Sequence, residues 1–572
     1  MKIETIETSS LGDRSYLAHD GEVAVVIDPQ RDVDRVLDLI TRAGLRISHV
    51  LETHVHNDYV SGGLELARAT GAAYVLPTGS SVEFDHVNVA EGDTLDSGGM
   101  RLRVLHTPGH TFHHVSYVLH DADQDDNDEA VAVFTGGSML FGATGRTDLV
   151  SPDATQALTH AQYRSVRRLA AELPAAAAVL PTHGFGSFCS ATPTSGNAST
   201  VGEQTTRNPA LTLAEQDYVD TLLAGLDAYP AYYAQMGPIN RHGPAPVDLS
   251  APEPVQPAQL RARIQAGHWV VDLRKRTAFA AGHLPGSLGF ELSQPFVTYL
   301  GWLYTYGSPL TLIGDNPQQI LDARRELARI GIDDLAGATT ADLDTLADGQ
   351  PLRSYPVTDF AGLAAARARG PVLVLDVRRN DERARGHLPG SHHIPLHELA
   401  GRIHEIPQGQ VWVHCASGYR ASIAASILDR PGRTLVLIND SYDSAVAAGL
   451  EQPPQGPRRE HHQPRSGHHA SPSALARRDH PHPSPGAAGS PRRPAGRAAA
   501  AGHPGGALSD PGRGLFRVGA ELVIHLMRPG SIRGSIPRAA RDVGREAGKA
   551  TPGVEAVAAA LPGPVFGEAG GC

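Results

Sequence analysis

One passage occurs twice in this chain, and the duplication limits what most of it can fold into. Val270 opens Val-Val-Asp-Leu-Arg and runs on to Gly282-His283-Leu284-Pro285-Gly286-Ser287. Val374 opens Val-Leu-Asp-Val-Arg and runs on to Gly386-His387-Leu388-Pro389-Gly390-Ser391. Each copy sets a short apolar run ending in Asp-x-Arg, which reads as a strand, before a helix-like segment and a Pro-Gly turn. A repeat of this kind is one supersecondary plan used twice. Residues 250–350 and 357–452 are therefore read as two related α/β domains.

The chain has 572 residues, too many for one core, and length alone suggests about three or four domains. Residues 1–212 form the first. Valine- and leucine-rich runs at 23–27, 47–51, 101–105, 115–119 and 131–134 read as strands, and 33–43 reads as an amphipathic helix. The polar, turn-rich stretch 186–212 is expected to be an ordered linker or lid. After residue 452 the composition shifts to Pro, Gly, Ala, Arg and His. Residues 453–572 are expected to be disordered, because such a segment buries too little apolar surface to offset the entropy of ordering.

A net charge of -11 argues against a nucleic-acid partner, which would want a basic face. No apolar run approaches the roughly 20 residues that cross a bilayer, and the amino terminus lacks a signal-peptide pattern. Three cysteines, Cys189, Cys415 and Cys572, make no disulfide framework and point to free thiols in a reducing compartment. A cytoplasmic protein, compatible with a homo-oligomer and with no membrane partner, is expected.

Histidines gather at strand ends in the first domain. His54 and His56 stand in Thr53-His54-Val55-His56-Asn57-Asp58-Tyr59, His110 closes Thr107-Pro108-Gly109-His110, and His183 lies in Pro181-Thr182-His183-Gly184. A His-x-His pair after a strand aims two imidazoles at one point. Three neutral imidazoles on zinc or iron leave positions open for water, substrate or dioxygen.

These motifs, with Phe134-Thr135-Gly136 and Gly145-Arg146-Thr147-Asp148, resemble the metallo-β-lactamase superfamily, in the branch of persulfide dioxygenases and glyoxalase II. The resemblance implies an αββα sandwich with the metal at one edge. In persulfide dioxygenases two histidines and an aspartate hold one Fe(II); by position the histidines are His54 and His110. The aspartate is expected directly after Phe-Thr-Gly, where this chain has Gly137, and Tyr59 stands where two-metal members carry a histidine. A dinuclear centre is thereby disfavoured. A single-metal site would draw on His54, His56 and His110, with Asp58 and His183 beside them. Mononuclear Fe(II) is the expected cofactor and Zn(II) the alternative. Cys189, six residues past His183, is a candidate to hold a persulfide near the metal.

In the second repeat an apolar run, 411–413, leads into His414-Cys415-Ala416-Ser417-Gly418-Tyr419-Arg420 and then a helix-like segment. A cysteine between a strand and a helix amino terminus sits where backbone N–H groups and the helix dipole favour an anion. Gly418 lets the loop curl tightly, and Arg420 can neutralise a sulfur oxyanion. Cys-x-x-Gly-x-Arg, together with the repeat motifs, resembles an active rhodanese domain. Cys415 and Arg420 are then catalytic, with Ser417 and Gly418 binding substrate; related phosphatases typically use a longer loop. The first repeat has Asp315 at the cysteine's place, and a carboxylate cannot carry sulfane sulfur. That copy is expected to be inactive, bracing its neighbours or shaping a shared channel.

The three domains together resemble bacterial persulfide dioxygenase–rhodanese fusions over residues 1–452. The resemblance implies small-molecule thiols, persulfides, thiosulfate and sulfite as partners. Two other readings remain: a thioester hydrolase of the acylglutathione type, and a sulfurtransferase whose first domain only docks.

Overall fold

The computed structural model describes residues 1–122, 130–192, 194 and 196–451; the tail expected to be disordered, 453–572, lies outside them, as does Cys572. Two sheets open the chain. One has six strands in sequence order from Lys2–Thr8 to Val87–Val89, antiparallel at first and parallel from Val23–Ile27 onward. The other has five strands in the order Ala178–Pro181, Ala130–Gly136, Val115–Asp121, Met100–His106, Thr94–Ser97. Alternation along these strands puts one apolar face of each sheet against the other: Tyr16, Val25, Ile27 and Leu51 share a core with Leu102, Tyr117, Leu119 and Phe134.

Helices cover the outer faces. Val36 and Ile40 of Asp34–Ala43 and Leu64 of Gly63–Thr70 pack on the first sheet. Tyr163, Val166 and Leu169 of Thr155–Glu172 pack on the second. The result is a four-layer αββα sandwich. His54, His110, Gly137 and His183 all lie beyond strand ends along one edge of it.

The stretch 186–212 is not a mere linker. It holds helices Val201–Arg207 and Pro209–Thr212, the first closed by a reciprocal Thr200–Glu203 capping box and the second capped by Asn208. Two further helices follow, Glu215–Gly225 and Tyr233–His242.

The repeats carry one topology. Strands Leu288–Gly289, Trp269–Asp272, Leu310–Ile313 and Leu335–Thr339 form a parallel sheet in that order, and His392–His393, Leu373–Asp376, Gln410–His414 and Thr434–Ile438 form the other. A parallel partner flanks the last strand of each, the bridge Pro254–Ala338 in one and Val357–Thr358 in the other. The shared motifs build the same hydrogen bonds in both. Arg274 clasps Asp272 and donates to the Gly282 carbonyl at 3.0 Å; Arg378 clasps Asp376 and donates to the Gly386 carbonyl at 2.9 Å. Ser287 and Ser391 each close the Leu-Pro-Gly turn by donating to the carbonyl three residues earlier, that of Leu284 and of Leu388.

The domains are packed, not strung. Arg329 and Arg325 of the first repeat reach Asp32 and Asp34 at 2.7 Å, and Val60 N–H donates to the Arg329 carbonyl at 2.8 Å. His283 and Arg353 converge on Asp429 of the second repeat. One apolar core joins Tyr59, Tyr232 and Met236 to Phe296 and Leu300 and on to Ile394 and Leu437. Among the described residues no helix is long and apolar enough to cross a membrane.

Candidate metal centre and sulfur-transfer site

Each site histidine is held by one ring nitrogen; the other has no partner in His56 and His110, and in His54 and His183 the two face each other. Thr53 Oγ1 gives its proton to Asp28 (2.8 Å), so its oxygen accepts from His54 Nδ1 (2.9 Å), leaving the His54 Nε2 lone pair to face His183 Nε2. His110 Nδ1 donates to the Arg146 carbonyl at 2.8 Å, and its buried Nε2 has no partner. His56 Nε2 meets Glu52 at 3.1 Å and Asp28 at 3.2 Å, and its buried Nδ1 has no partner. His183 Nδ1 meets Asp13 at 2.9 Å and Asp58 at 3.0 Å, while its Nε2 lies 3.3 Å from His54 Nε2. Such carboxylate–histidine pairs fix tautomer and ring direction in metal sites.

Ligand atoms of His54, His110 and His183 converge within 4.8 Å of one another, as do those of His56, Asp58 and His183. All five side chains are buried, and Asp58 Oδ1 is partnerless. The residues could therefore hold a metal ion, in two groups that share His183, and together these include every first-domain residue expected as a ligand from the sequence. His183 is as central as His54 and His110, whereas His56 stands to one side, shared with an acid pair.

Burial, then the neighbouring imidazoles, depress His54 well below the usual histidine range, and His110 is lowered to about 3. Both stay neutral, as ligands must. Burial opposes charge on His183 as well, but Asp58 and Asp13 outweigh it and raise the group to about 10. Asp28, through its charge and hydrogen bond, likewise lifts His56 to about 9 against burial.

Gly137 shapes the rest. Its N–H donates to His114 Nε2 at 3.0 Å. A Cβ built there would fall 2.3 Å from Cδ2 of His110. The His110 ring occupies the place where a side chain would start.

Several contributors escaped the sequence reading. Asp28 is buried, carries a positive φ of 50°, and gathers Thr53, His56 and Thr182 around one carboxylate. Asn240, from a helix far along the chain, donates to the carbonyls of His56 and Tyr59 at 2.9 and 2.8 Å and accepts from Ser61 N–H. A short polar residue directly after the apolar run Val23–Ile27 was the available signal for Asp28; Asn240 left none.

Cys189 does arrive beside the site, with Tyr233 Oη 3.8 Å from its sulfur. It is fully buried, and burial together with Asp58 pushes its thiol well up. The structure therefore holds it as a protonated thiol, not as the ready nucleophile that a persulfide carrier needs.

In the second repeat, Cys415 follows strand Gln410–His414 and precedes helix Tyr419–Leu428. Gly418 caps the helix with φ 87° and no side chain closes its amino terminus, so the first-turn N–H groups remain open to an anion. Cys415 is 1% exposed, while Ser417 is exposed. Arg420 does not hang free: a bidentate pair with Glu382, one arm 2.7 Å, holds it buried in the first turn. The first repeat differs as chemistry requires. Asp315 is exposed, Asn316 caps helix Pro317–Arg329 with its own side chain, and Pro317 removes an N–H.

Family comparisons agree with this geometry. The metallo-beta-lactamase superfamily model matches residues 14–183 and the rhodanese-like domain model matches residues 360–448. The human mitochondrial persulfide dioxygenase ETHE1 is 30% identical over 260 residues, covering 45% of this chain and 84% of its own length.

The chain belongs to the persulfide dioxygenase family of the metallo-beta-lactamase superfamily.

A hydroxyacylglutathione hydrolase from Methylobacillus flagellatus, 31% identical over 223 residues, covers 38% of this chain and 74% of its own length. A solved metallo-beta-lactamase from Staphylococcus aureus subsp. aureus COL is 27% identical with a TM-score of 0.54, over 59% of this chain and 98% of that one. Within this family the present member carries a rhodanese domain after the sandwich. A rhodanese match is found for one repeat, the second, so the tandem reading rests for its first copy on shared strand order and motif hydrogen bonds. Histidines and carboxylates that can hold a metal stand at the sandwich edge, as the family implies.

Proposed function

We propose that the first domain oxidises the outer sulfur of a low-molecular-weight persulfide to sulfite at one Fe(II), and that Cys415 carries sulfane sulfur as a persulfide. The overall change is RSSH + O2 + H2O → RSH + sulfite + 2 H+. The observation that carries the reading is the pair of partnerless buried nitrogens on His56 and His110 beside the facing Nε2 atoms of His54 and His183.

His54, His110 and His183, with His56 and Asp58 beside them, would hold the ion. It would supply open positions where dioxygen and a persulfide sulfur meet. The chain's own residues do the rest. Thr53, the Arg146 carbonyl and Asp13 orient three imidazoles; Tyr59 and Asn240 fix the loop that carries His54 to Asp58. A groove bordered by Val55, Asn57, Thr111, Phe112 and Arg241 opens beside the ligands and is the persulfide's way in.

At the second site the Cys415 thiolate attacks the outer sulfur of a persulfide or thiosulfate, the old S–S bond breaks toward the leaving thiolate or sulfite, and Cys–S–S⁻ remains. The open helix terminus and Arg420 offset its charge. The first repeat, lacking a sulfur nucleophile at Asp315, is read as an inactive rhodanese-like copy.

Anaerobically purified protein should contain about one iron per chain and consume oxygen on glutathione persulfide. Zinc with acylglutathione cleavage would instead establish the hydrolase, which the curated hydrolase relatives favour but which Gly137 and Tyr59 oppose. Absence of both metal and oxygen uptake would leave only the sulfur carrier.

A further inference from the structure

A second groove lies behind the metal site, away from the persulfide entrance. Its volume is about 490 Å³, and its walls include Arg146, Ser187 and Phe188 of the first domain, Asp227 beyond it, and Arg379 and Arg385. Ser187 touches both sides of the partition: it lines this groove, and its hydroxyl reaches Asp58 at 3.5 Å. Gly184 and Gly186, at φ 118° and 100°, flank the same short wall.

Arg379 belongs to the second repeat. It lines the groove on one side and, on the other, a small cavity shared with Arg420, Tyr299, Trp302 and His397. Its guanidinium sits 5.4 Å over the Phe188 ring, is held by Asp381 at 3.0 Å, and reaches Asp227 only at 3.8 Å. Phe188 meets Trp302 edge-on at 5.1 Å. Phe188, Trp302 and Arg379 thus form the door between a roomy groove and a cavity of about 10 Å³, room for about one water. Two members of that door are packed rings. The third is a long, flexible cation.

We infer that this groove is a binding site for a small sulfur oxyanion and that Arg379 hands the anion from the metal-centre side to the cavity at Arg420, in the first turn of the helix that follows Cys415. The inference rests on the proposed persulfide oxidation for its source of sulfite. Sulfite leaving the sandwich meets Arg379, whose swing from Asp381 carries the dianion past Phe188 toward Arg420. There its sulfur lone pair attacks the outer sulfur of Cys415–S–S⁻. The new S–S bond is that of thiosulfate, the old one breaks, and its electron pair returns to Cys415 as thiolate. Charge is conserved at three negatives on each side. Trp302 gives the first repeat a function in this transfer although it has no nucleophile of its own.

Sulfite binding to the full chain carrying Cys415→Ser, measured by calorimetry, tests the site directly. Adding Arg379→Gln should weaken binding about fivefold or more, and Arg379→Lys, which keeps the charge, should recover most of it. Equal affinity in all three overturns the inference. A second measurement uses the otherwise unaltered chain turning over glutathione persulfide. Arg379→Gln should lower thiosulfate formed per oxygen consumed about threefold, with free sulfite rising to match; an unchanged product ratio overturns it as well. Arg379-dependent sulfite binding without any oxygen uptake would sink the dioxygenase reading alone. Oxygen uptake with sulfite affinity indifferent to Arg379 would sink the relay alone.

Discussion

A hydrogen atom at position 137 is the only side chain the metal site tolerates there. With His110 Cδ2 at 2.3 Å from the nearest position a Cβ could take, Gly137→Ala must displace the ring or the turn, an overpacking strain of about 1–3 kcal/mol. Thermal unfolding should show the loss, and iron content after anaerobic purification should fall with it. His110→Ala and His54→Ala should each strip the metal outright, and elemental analysis with iron retained in both would move the site elsewhere. His183→Ala should do the same if its imidazole has taken the place a carboxylate would fill. Much of this site was legible in the chain, since histidines at strand ends announce themselves by spacing. The share of work between them was not. That depends on which ring nitrogen each neighbour claims, and those neighbours, Asp13, Asp28, Arg146 and Asn240, come from four separate stretches of the chain whose meeting no local pattern records.

The strand–loop–helix unit around Cys415 differs from its sister around Asp315 in how the helix begins. One helix starts at an uncapped Gly418; the other is closed by Asn316 and Pro317. Cys415→Ser should therefore abolish thiosulfate:cyanide sulfur transfer while oxygen uptake persists; surviving transfer would mean the wrong nucleophile has been chosen. Gly418→Ala should cost about 1–2 kcal/mol for its left-handed backbone alone, and more because its Cβ would lie 2.3 Å from Asn439 Oδ1. Sulfur transfer should drop with it. Elements with strong periodicity were readable beforehand: the helix Asp34–Ala43 and the strands Val23–Ile27 and Val115–Asp121 stand where apolar spacing put them. The helices after residue 200 were missed because Thr200-x-x-Glu203 and Asn208-Pro209 are capping signals hidden in a polar run. Their stability comes from what they pack on, which composition does not reveal.

At the scale of the molecule, the two repeats are pinned together by Asp429, a half-buried residue whose carboxylate lies between His283 and Arg353. Burial works against its charge, but His283 and Arg353 prevail and lower it to about 2. A carboxyl depressed by folding stabilises the folded state fully above its ordinary value of 3.8 and loses that effect as pH falls through the lowered one. Asp429→Asn should accordingly reduce the urea midpoint at neutral pH, and the gap from the unaltered protein should narrow as pH approaches about 2. A gap independent of pH in that window would place the effect in packing rather than charge.

The ion pairs from Arg325 and Arg329 to Asp32 and Asp34 carry one more consequence. The first repeat, read as an inactive copy, is bolted to the housing of one reaction centre, and through Trp302 it furnishes the ceiling of the other. Excising it would not yield a leaner enzyme. It would uncover Tyr232 and Met236 on one flank and Tyr419 on the other, and both catalysts would lose their footing at once.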